Sequence, residues 1–372
     1  MRDSLRLGRL WGIEIRLDYS WFVIFVLVTW VLAASYFPLG YPGWPPGLYW
    51  GMALITSLLF FASVLAHELA HSLVAMRSGI PVQGIRLFIF GGVSQITDEP
   101  RSARDEFRFT VVGPFTSLVL GLAFGALWWE TRGWNHPIAA LAQWLATVNV
   151  GLAVFNLIPG FPLDGGRVLR SLIWAASKDL RKATQIASAI GRGVAFLLII
   201  GGLAMIFSGG FFNGLWFVFI GWFLESAAAQ SWRQFTLREL LRGHKVSEVV
   251  NRDWPHVSRD LALDDLVEEH ILTNLRRFLP VVTDERLVGI VTLHDLRKAP
   301  RADWPQIQVE RVMTPLEKVH WVKPEEEIWA ALQMMAQKDV HQLPVLAEGR
   351  LVGVVARDSI LSFIQTRAEL GL

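Results

Sequence analysis

Leu65-Ala66-His67-Glu68-Leu69-Ala70-His71-Ser72 lies inside an apolar run, from about Leu48 to Ala75, that is long enough to cross a bilayer. Residues four apart share one face of a helix. The imidazoles of His67 and His71 can therefore reach a single metal ion, with the Glu68 carboxylate beside them. Ionisable groups among Leu, Ile, Phe and Ala are costly and usually functional. One stretch thus argues for a helix in lipid and for a metal-binding pair within it. Two histidines merely bonded to each other in a helix bundle are the bland alternative.

The composition agrees with a lipid environment. Of 372 residues 52% are hydrophobic, only 18% are charged, and 17 are Trp and 23 Phe. A soluble domain of this size carries more charge and less tryptophan. A net charge of only +2 gives no reason to expect nucleic acid as a partner. With no cysteine, disulfides, thiolate metal sites and cysteine nucleophiles are excluded. The first apolar run has no small-residue cleavage site after it and reads as a retained span.

Six spans follow from run length: roughly Tyr19–Phe37, Tyr49–Met76, Phe109–Trp129, Pro137–Ile158, Ala189–Phe207 and Phe211–Ala229. Arg2, Arg6, Arg9 and Arg16 precede the first; Arg77, Arg86, Arg101, Arg104 and Arg108 follow the second; Arg167, Arg170, Lys178, Arg181 and Lys182 follow the fourth. The intervening loops are nearly uncharged. Basic loops mark the cytoplasmic side, so a multi-pass protein of the cytoplasmic membrane with both termini inside is expected. Tryptophans 44, 50, 128, 129 and 134 cluster toward the other face, at the headgroup level indoles favour.

In this topology the second and fourth spans both enter from outside, and His67 and Asn156 reach similar depths near the cytoplasm. There the fourth span breaks at Asn156-Leu-Ile-Pro159-Gly-Phe-Pro162-Leu-Asp164-Gly165-Gly166. Prolines and glycines end a helix, and irregular backbone at membrane depth needs protein or a wet cavity around it. Asp164 can supply a third ligand, although Asp-Gly-Gly alone also reads as a turn.

H-E-x-x-H in one span with N-x-x-P-x-x-P-x-D-G-G in a later one resembles the site-2 protease family of intramembrane zinc metalloproteases. Gly113-Pro114 and Phe90-Gly91-Gly92-Val93 carry the same resemblance, which covers roughly residues 1–230. It implies one Zn2+ per chain on His67, His71 and Asp164, with Glu68 as the base. It implies Asn156 beside the substrate backbone or the developing oxyanion, or else capping a broken helix. The implied substrate is a membrane protein with a transmembrane helix. Zinc on three protein ligands leaves a fourth position for water and lowers the pKa of that water to about 7. Glu68, next to a ligand, would take its proton and return it to the leaving amine. Gly84–Ile96 is β-rich and too short to span. It is expected to fold back as a hairpin or edge strand that pairs with extended substrate, the alternative being a hairpin packed on the bundle.

After Gln230 the long apolar runs stop, and residues 231–244 read as an amphipathic connector. Arg277-Phe-Leu-Pro-Val-Val-Thr-Asp-Glu-Arg-Leu-Val-Gly-Ile-Val-Thr-Leu-His-Asp295 then aligns without gaps onto residues 341–359. Each copy gives strand, tight turn, strand and helix start, behind an apolar helix at Leu263–Leu275 or Glu327–Gln337. The repeat resembles a pair of cystathionine-β-synthase (CBS) domains, 245–300 and 308–366. The resemblance implies a possible homodimer and an adenine nucleotide (ATP, ADP or AMP) between the copies. Gly289, Thr292 and Asp295 fit the nucleotide pattern; Ala356 and Ser359 depart from it in the second copy, so at most one site is expected. The expected fold class is a membrane α-helical bundle of six transmembrane helices followed by a soluble α+β CBS-domain pair. The expected function is intramembrane zinc endopeptidase; a CBS-regulated transporter or channel is the alternative, although no repeated spans support it.

Overall fold

The computed structural model describes residues 4–96, 100, 102–273 and 276–370. It divides into two compact units, Met1–Phe235 and Thr236–Leu372. Among the described residues the first holds six helices long and apolar enough to cross a membrane: Tyr19–Gly40, Pro46–Arg77, Ala103–Thr131, His136–Asn156, Leu180–Phe207 and the start of Phe211–Leu241. They are called the first to sixth spans below. Several begin on side-chain caps that satisfy otherwise orphaned backbone donors. Asp18 caps the first span, Ser102 the third, Asn135 the fourth and Asp179 the fifth. The side-chain and backbone hydrogen bonds from Ser20, and then the Arg86 guanidinium, hold the Asp18 carboxyl down at about 2.

Two elements exceed what the sequence suggested. The basic N-terminal segment is not a loop but two strands, β1 (Ser4–Leu10) and β2 (Ile13–Asp18). Ile13, Ile15 and Leu17 are buried while Glu14, Arg16 and Asp18 are half-buried, the alternation of a strand with one face on a core. Strand β2 runs parallel to β3 (Val82–Phe88), which turns back into β4 (Gly91–Ile96), giving the sheet order β1-β2-β3-β4. Gly84–Ile96 thus forms a hairpin with β4 at the sheet edge. Ile13, Leu17, Ile85 and Leu87 pack on Trp21, Phe61, Val64 and Leu69, so the sheet sits on the second span beside the two histidines. The other addition is a helix, Asp164–Ser177, that begins at the broken end of the fourth span and packs on the third and fifth.

The helix of the sixth span, Phe211–Leu241, runs on through most of the stretch read as an amphipathic connector. In the second unit, β5 (Phe278–Thr283) pairs with β6 (Arg286–Thr292), and β8 (Gln342–Ala347) with β9 (Arg350–Ala356); the sheet order is β5-β6-β9-β8, with β7 (Thr314–Pro315) on β6. Each hairpin closes through two residues, Asp284-Glu285 or Glu348-Gly349, all with φ between 49° and 81°. Positive φ at both positions matches the twist of the flanking strands. Helical turns at Leu263–Leu272 and the helix Ile328–Lys338 precede the copies; residues 274–275 of the first expected helix lie outside the described residues. Each copy keeps its own core, one around Leu263, Val281 and Val291, the other around Ile328, Val345 and Val355.

Candidate metal centre

The second span holds His67 and His71 one turn apart, 4% and 7% exposed. Each ring is fixed through Nδ1: His67 lies 2.9 Å from the Ser117 hydroxyl, and His71 donates to the Phe109 carbonyl at 2.6 Å, both on the third span. A carbonyl only accepts, so Nδ1 of His71 carries the proton and Nε2 is left to bind elsewhere. Asp164 arrives at the first position of its helix. Its Oδ2 is 3.2 Å from Nε2 of His67 and 3.2 Å from Nε2 of His71, and the two Nε2 atoms are 3.2 Å apart.

These three atoms form a near-equilateral triangle. Ligands about 2.0–2.1 Å from a tetrahedral zinc stand roughly 3.3 Å from each other, which is the observed edge. Three lone-pair-bearing atoms turned toward one point repel unless a cation or shared protons lie between them. Among the described residues this is the one group of at least three His, Cys, Asp or Glu that could hold a metal ion. Two imidazoles and a carboxylate with an open side suit a catalytic zinc site, and orientation of both rings through Nδ1 is how ligating histidines are usually held.

Close backbone approaches put these three candidate ligands there. A Cβ on Gly113 would overlap Nε2 and Cε1 of His71 and lie 2.8 Å from Nε2 of His67. Only glycine lets the third span pass this close to both rings. The loop before Asp164 is packed backbone on backbone: a Cβ on Gly165 would strike the Leu157 and Ile158 carbonyls, and one on Gly166 the Gly160–Phe161 peptide. Phe161 N–H donates to the Ala187 carbonyl at 3.4 Å, tying this loop to the fifth span.

Glu68 is half-buried and points to the sheet. Its Oε2 accepts from the Ser94 hydroxyl at 2.7 Å, and Ser72 donates to Ser94 at 3.1 Å. A Cβ on Gly92 would come 2.5 Å from Cγ of Glu68. Edge strand β4 therefore runs directly against this carboxylate. Asn156 is half-buried at the end of the fourth span, one residue before the peptide on which Gly165 packs; no hydrogen bond to its side chain is seen among the described residues.

Sequence reading missed Ser72, Ser94 and Ser117, polar residues whose only local signal is a place one to three residues beyond a motif. It also missed a buried ion pair: Arg170 Nε donates to Oε1 of Glu106 at 2.7 Å, with a second contact from the same guanidinium. The pair clamps the Asp164 helix to the third span three residues before Phe109. Removing one partner of a buried pair typically costs about 3–5 kcal/mol, while replacing both by apolar residues is often neutral. Arg170→Met is accordingly expected to lower thermal stability sharply, and Glu106→Leu with Arg170→Met to restore most of it. A double variant no more stable than the single one would show that the pair is not what clamps the helix.

In the second unit, Asp295 is 3% exposed. Its Oδ2 accepts from the Thr292 amide at 2.9 Å and hydroxyl at 2.7 Å, and its Oδ1 from Lys298 at 2.6 Å and Thr314 at 3.3 Å. Gly289 sits where a Cβ would meet the Thr314 carbonyl at 2.6 Å. Thr292 and Asp295 thus cap the short helix Leu293–Leu296, and a ribose reaching Asp295 must displace Lys298 or Thr314.

The chain matches the family model for peptidase family M50 over residues 55–131 and 130–200, and that for the CBS domain over 246–302 and 309–366. It is 35% identical to Rip3 of Mycobacterium tuberculosis, across 98% of this chain and 93% of that one. It is 34% identical to sll0528 of Synechocystis, across 99% and 97%. Both names place those proteins provisionally among zinc metalloproteases. The solved site-2 protease of Methanocaldococcus jannaschii is 26% identical, covers 62% of this chain and 95% of its own, and superposes with a TM-score of 0.43.

Proposed function

The chain belongs to peptidase family M50 and is a membrane protein with a CBS pair, and we propose on that premise that it is an intramembrane zinc endopeptidase. It would hydrolyse peptide bonds in or near the transmembrane segment of membrane-protein substrates. The observation that carries this reading is the 3.2 Å triangle of His67, His71 and Asp164 atoms inside the span bundle. These three residues would hold one zinc ion, whose chemistry when bound is to acidify water and polarise the scissile carbonyl.

The rest falls to the chain's own groups. Glu68, steadied by Ser94, would take the proton of the attacking water and deliver it to the leaving amine. Among the described residues the side-chain amide N–H groups of Asn156 have no hydrogen-bond partner, which leaves them available to the substrate backbone or the oxyanion. Substrate helices must be unwound before attack. Edge strand β4, pressed on Glu68 through Gly92, offers unpaired backbone groups on which an opened segment can add as a fifth strand. Alternating basic loops support an arrangement with both termini and the CBS pair in the cytoplasm of a cell-membrane protein. Membership in a peptidase family weighs against the transporter reading.

The full chain in detergent is expected to contain one zinc, to cleave a transmembrane-peptide substrate, to lose cleavage on chelation and to regain it with zinc. Cleavage that survives complete metal removal would overturn the reading.

For the CBS pair the proposal is an adenine nucleotide in the first copy at Gly289, Thr292 and Asp295, with dimerisation as the competing role. Such binding changes proteolysis only if it favours one arrangement of the module. Calorimetry is expected to show saturable heat with ATP, ADP or AMP, and at least a tenfold weaker response in Asp295→Ala. Because Asp295 also caps a helix, the variant's unfolding is to be measured alongside. No heat with any of the three would leave dimerisation or docking as the role.

A further inference from the structure

Between the fifth and sixth spans lies an open cleft of about 590 Å³ lined by Gln185, Ser188, Arg192, Glu225, Trp232 and Arg233, among others, with both arginines exposed. Nothing in the metal centre uses it. Arg192 and Glu225 form an ion pair at 3.3 Å, whereas Arg233 has no ion-pair partner among the described residues. The cavity therefore keeps one uncompensated guanidinium, and a second shared with a carboxylate. Ser188 is 4% exposed and lines this cavity, and among the described residues its hydroxyl has no hydrogen-bond partner. A buried hydroxyl without a partner costs stability, and a ligand acceptor in the cavity would satisfy it.

Depth identifies the ligand. The two spans meet at the turn Ser208–Gly210. Arg192 and Glu225 lie about fifteen or sixteen residues from that turn, roughly 23 Å along each helix; Gln185 and Arg233 lie about twenty-three residues away, roughly 34 Å. A hydrocarbon core about 30 Å thick ends between these two levels. The cavity therefore straddles the border of the leaflet opposite that turn, with Trp232 at headgroup height. On the turn side of it both spans expose apolar surface, including Leu197 at 70% and Trp222 at 59%. A basic pocket between helices, below an apolar helix surface, fits a phosphate diester that carries acyl chains.

We propose that this cavity binds the headgroup of an anionic phospholipid, the phosphate held by Arg233 and Arg192 with the Ser188 hydroxyl donating to it. The occupant would touch a sensitive place. Ala187 and Gly191, neighbours of Ser188 and Arg192 in the fifth span, are the residues on which Phe161 and Gly160 of the Asp164 loop pack. Phe161 also sits against Ala228 of the sixth span, next to Ala229 of the cavity wall. A change in cleavage rate with anionic lipid would follow. That consequence rests on the protease reading; the site itself does not.

The test reconstitutes the full chain in phosphatidylcholine containing a minor fraction of phosphatidylglycerol, extracts it gently, and measures retained lipids by mass spectrometry. Wild type is expected to retain phosphatidylglycerol in excess over the bulk ratio. Arg233→Gln should lower that enrichment about fivefold, the scale of one arginine at a membrane surface. Ser188→Ala, which has no internal bond to lose among the described residues, should lower it about threefold. Glu225→Gln should raise it by freeing Arg192. Opposite signs at residues of one cavity are not what general loosening produces. Bulk-ratio retention by wild type, unchanged retention in both Arg233→Gln and Ser188→Ala, or full displacement of the lipid by inorganic phosphate would each overturn the assignment.

Discussion

Gly113→Ala is expected to lower metal affinity about 10–100-fold, the scale of losing the outer support of a ligating histidine, and to take cleavage down with it. No ligand is changed. The added methyl would occupy the space of Nε2 and Cε1 of His71 and crowd Nε2 of His67. The imidazoles cannot swing clear without breaking the Nδ1 contacts to Phe109 and Ser117, and the third span cannot retreat without moving both of those anchors. Helix propensity alone would make alanine the better residue by about 1 kcal/mol. Gly125→Ala, on the same helix, meets only the Ala146 methyl at 4.0 Å and serves as the control. It should keep metal and activity and gain slightly in stability. If Gly113→Ala retains wild-type metal content measured by mass spectrometry, the rings are not held between the two spans as described.

How far these features could be read beforehand depended on the range of the interactions behind them. Span positions follow from run length because burying an apolar stretch in lipid is a local matter, so Tyr19, Pro46 and Phe211 start helices close to where hydropathy put them. The histidine pair was legible because helical spacing alone sets Nε2 of His67 beside Nε2 of His71. Asp164 was legible as a candidate since the fourth span had to break somewhere near their depth. The paired CBS hairpins were visible as a repeat, with the two-residue turns in matching places.

By contrast, the segment that forms β1 and β2 is legible in the sequence only as a run of arginines before the first span. In β2 the alternation of Ile13, Ile15 and Leu17 is short, and of its two partner strands β1 and β3 the second lies about seventy residues on, at Gly84–Leu87. Glu106 and Arg170 reveal nothing locally, since each looks like an ordinary loop charge until the Asp164 helix brings them together. The nucleotide pattern in the first CBS copy shows the opposite problem. Thr292 and Asp295 match it by type and spacing, and the same spacing is what a helix N-terminal cap requires.

Glu68→Gln is expected to separate metal binding from catalysis and carries the largest expected effect on rate. Glutamine has the shape of glutamate, and its amide oxygen can still accept from the Ser94 hydroxyl, so the side chain should stay against β4. His67, His71 and Asp164 are unchanged, so zinc content should equal wild type. An amide cannot accept the proton of the attacking water, and loss of a positioned general base typically costs 10²–10⁴-fold. Cleavage of a transmembrane peptide is therefore expected to fall by about that factor with one zinc still bound. Ser94→Ala isolates the orienting contact: it leaves the carboxylate able to take a proton but no longer steers it, so its loss in rate should be smaller than that of Glu68→Gln. A Glu68→Gln protein that loses its zinc would make Glu68 part of the metal site itself. One that cleaves at the wild-type rate would move the base to another residue, and the contact between Glu68 and β4 would then be structural.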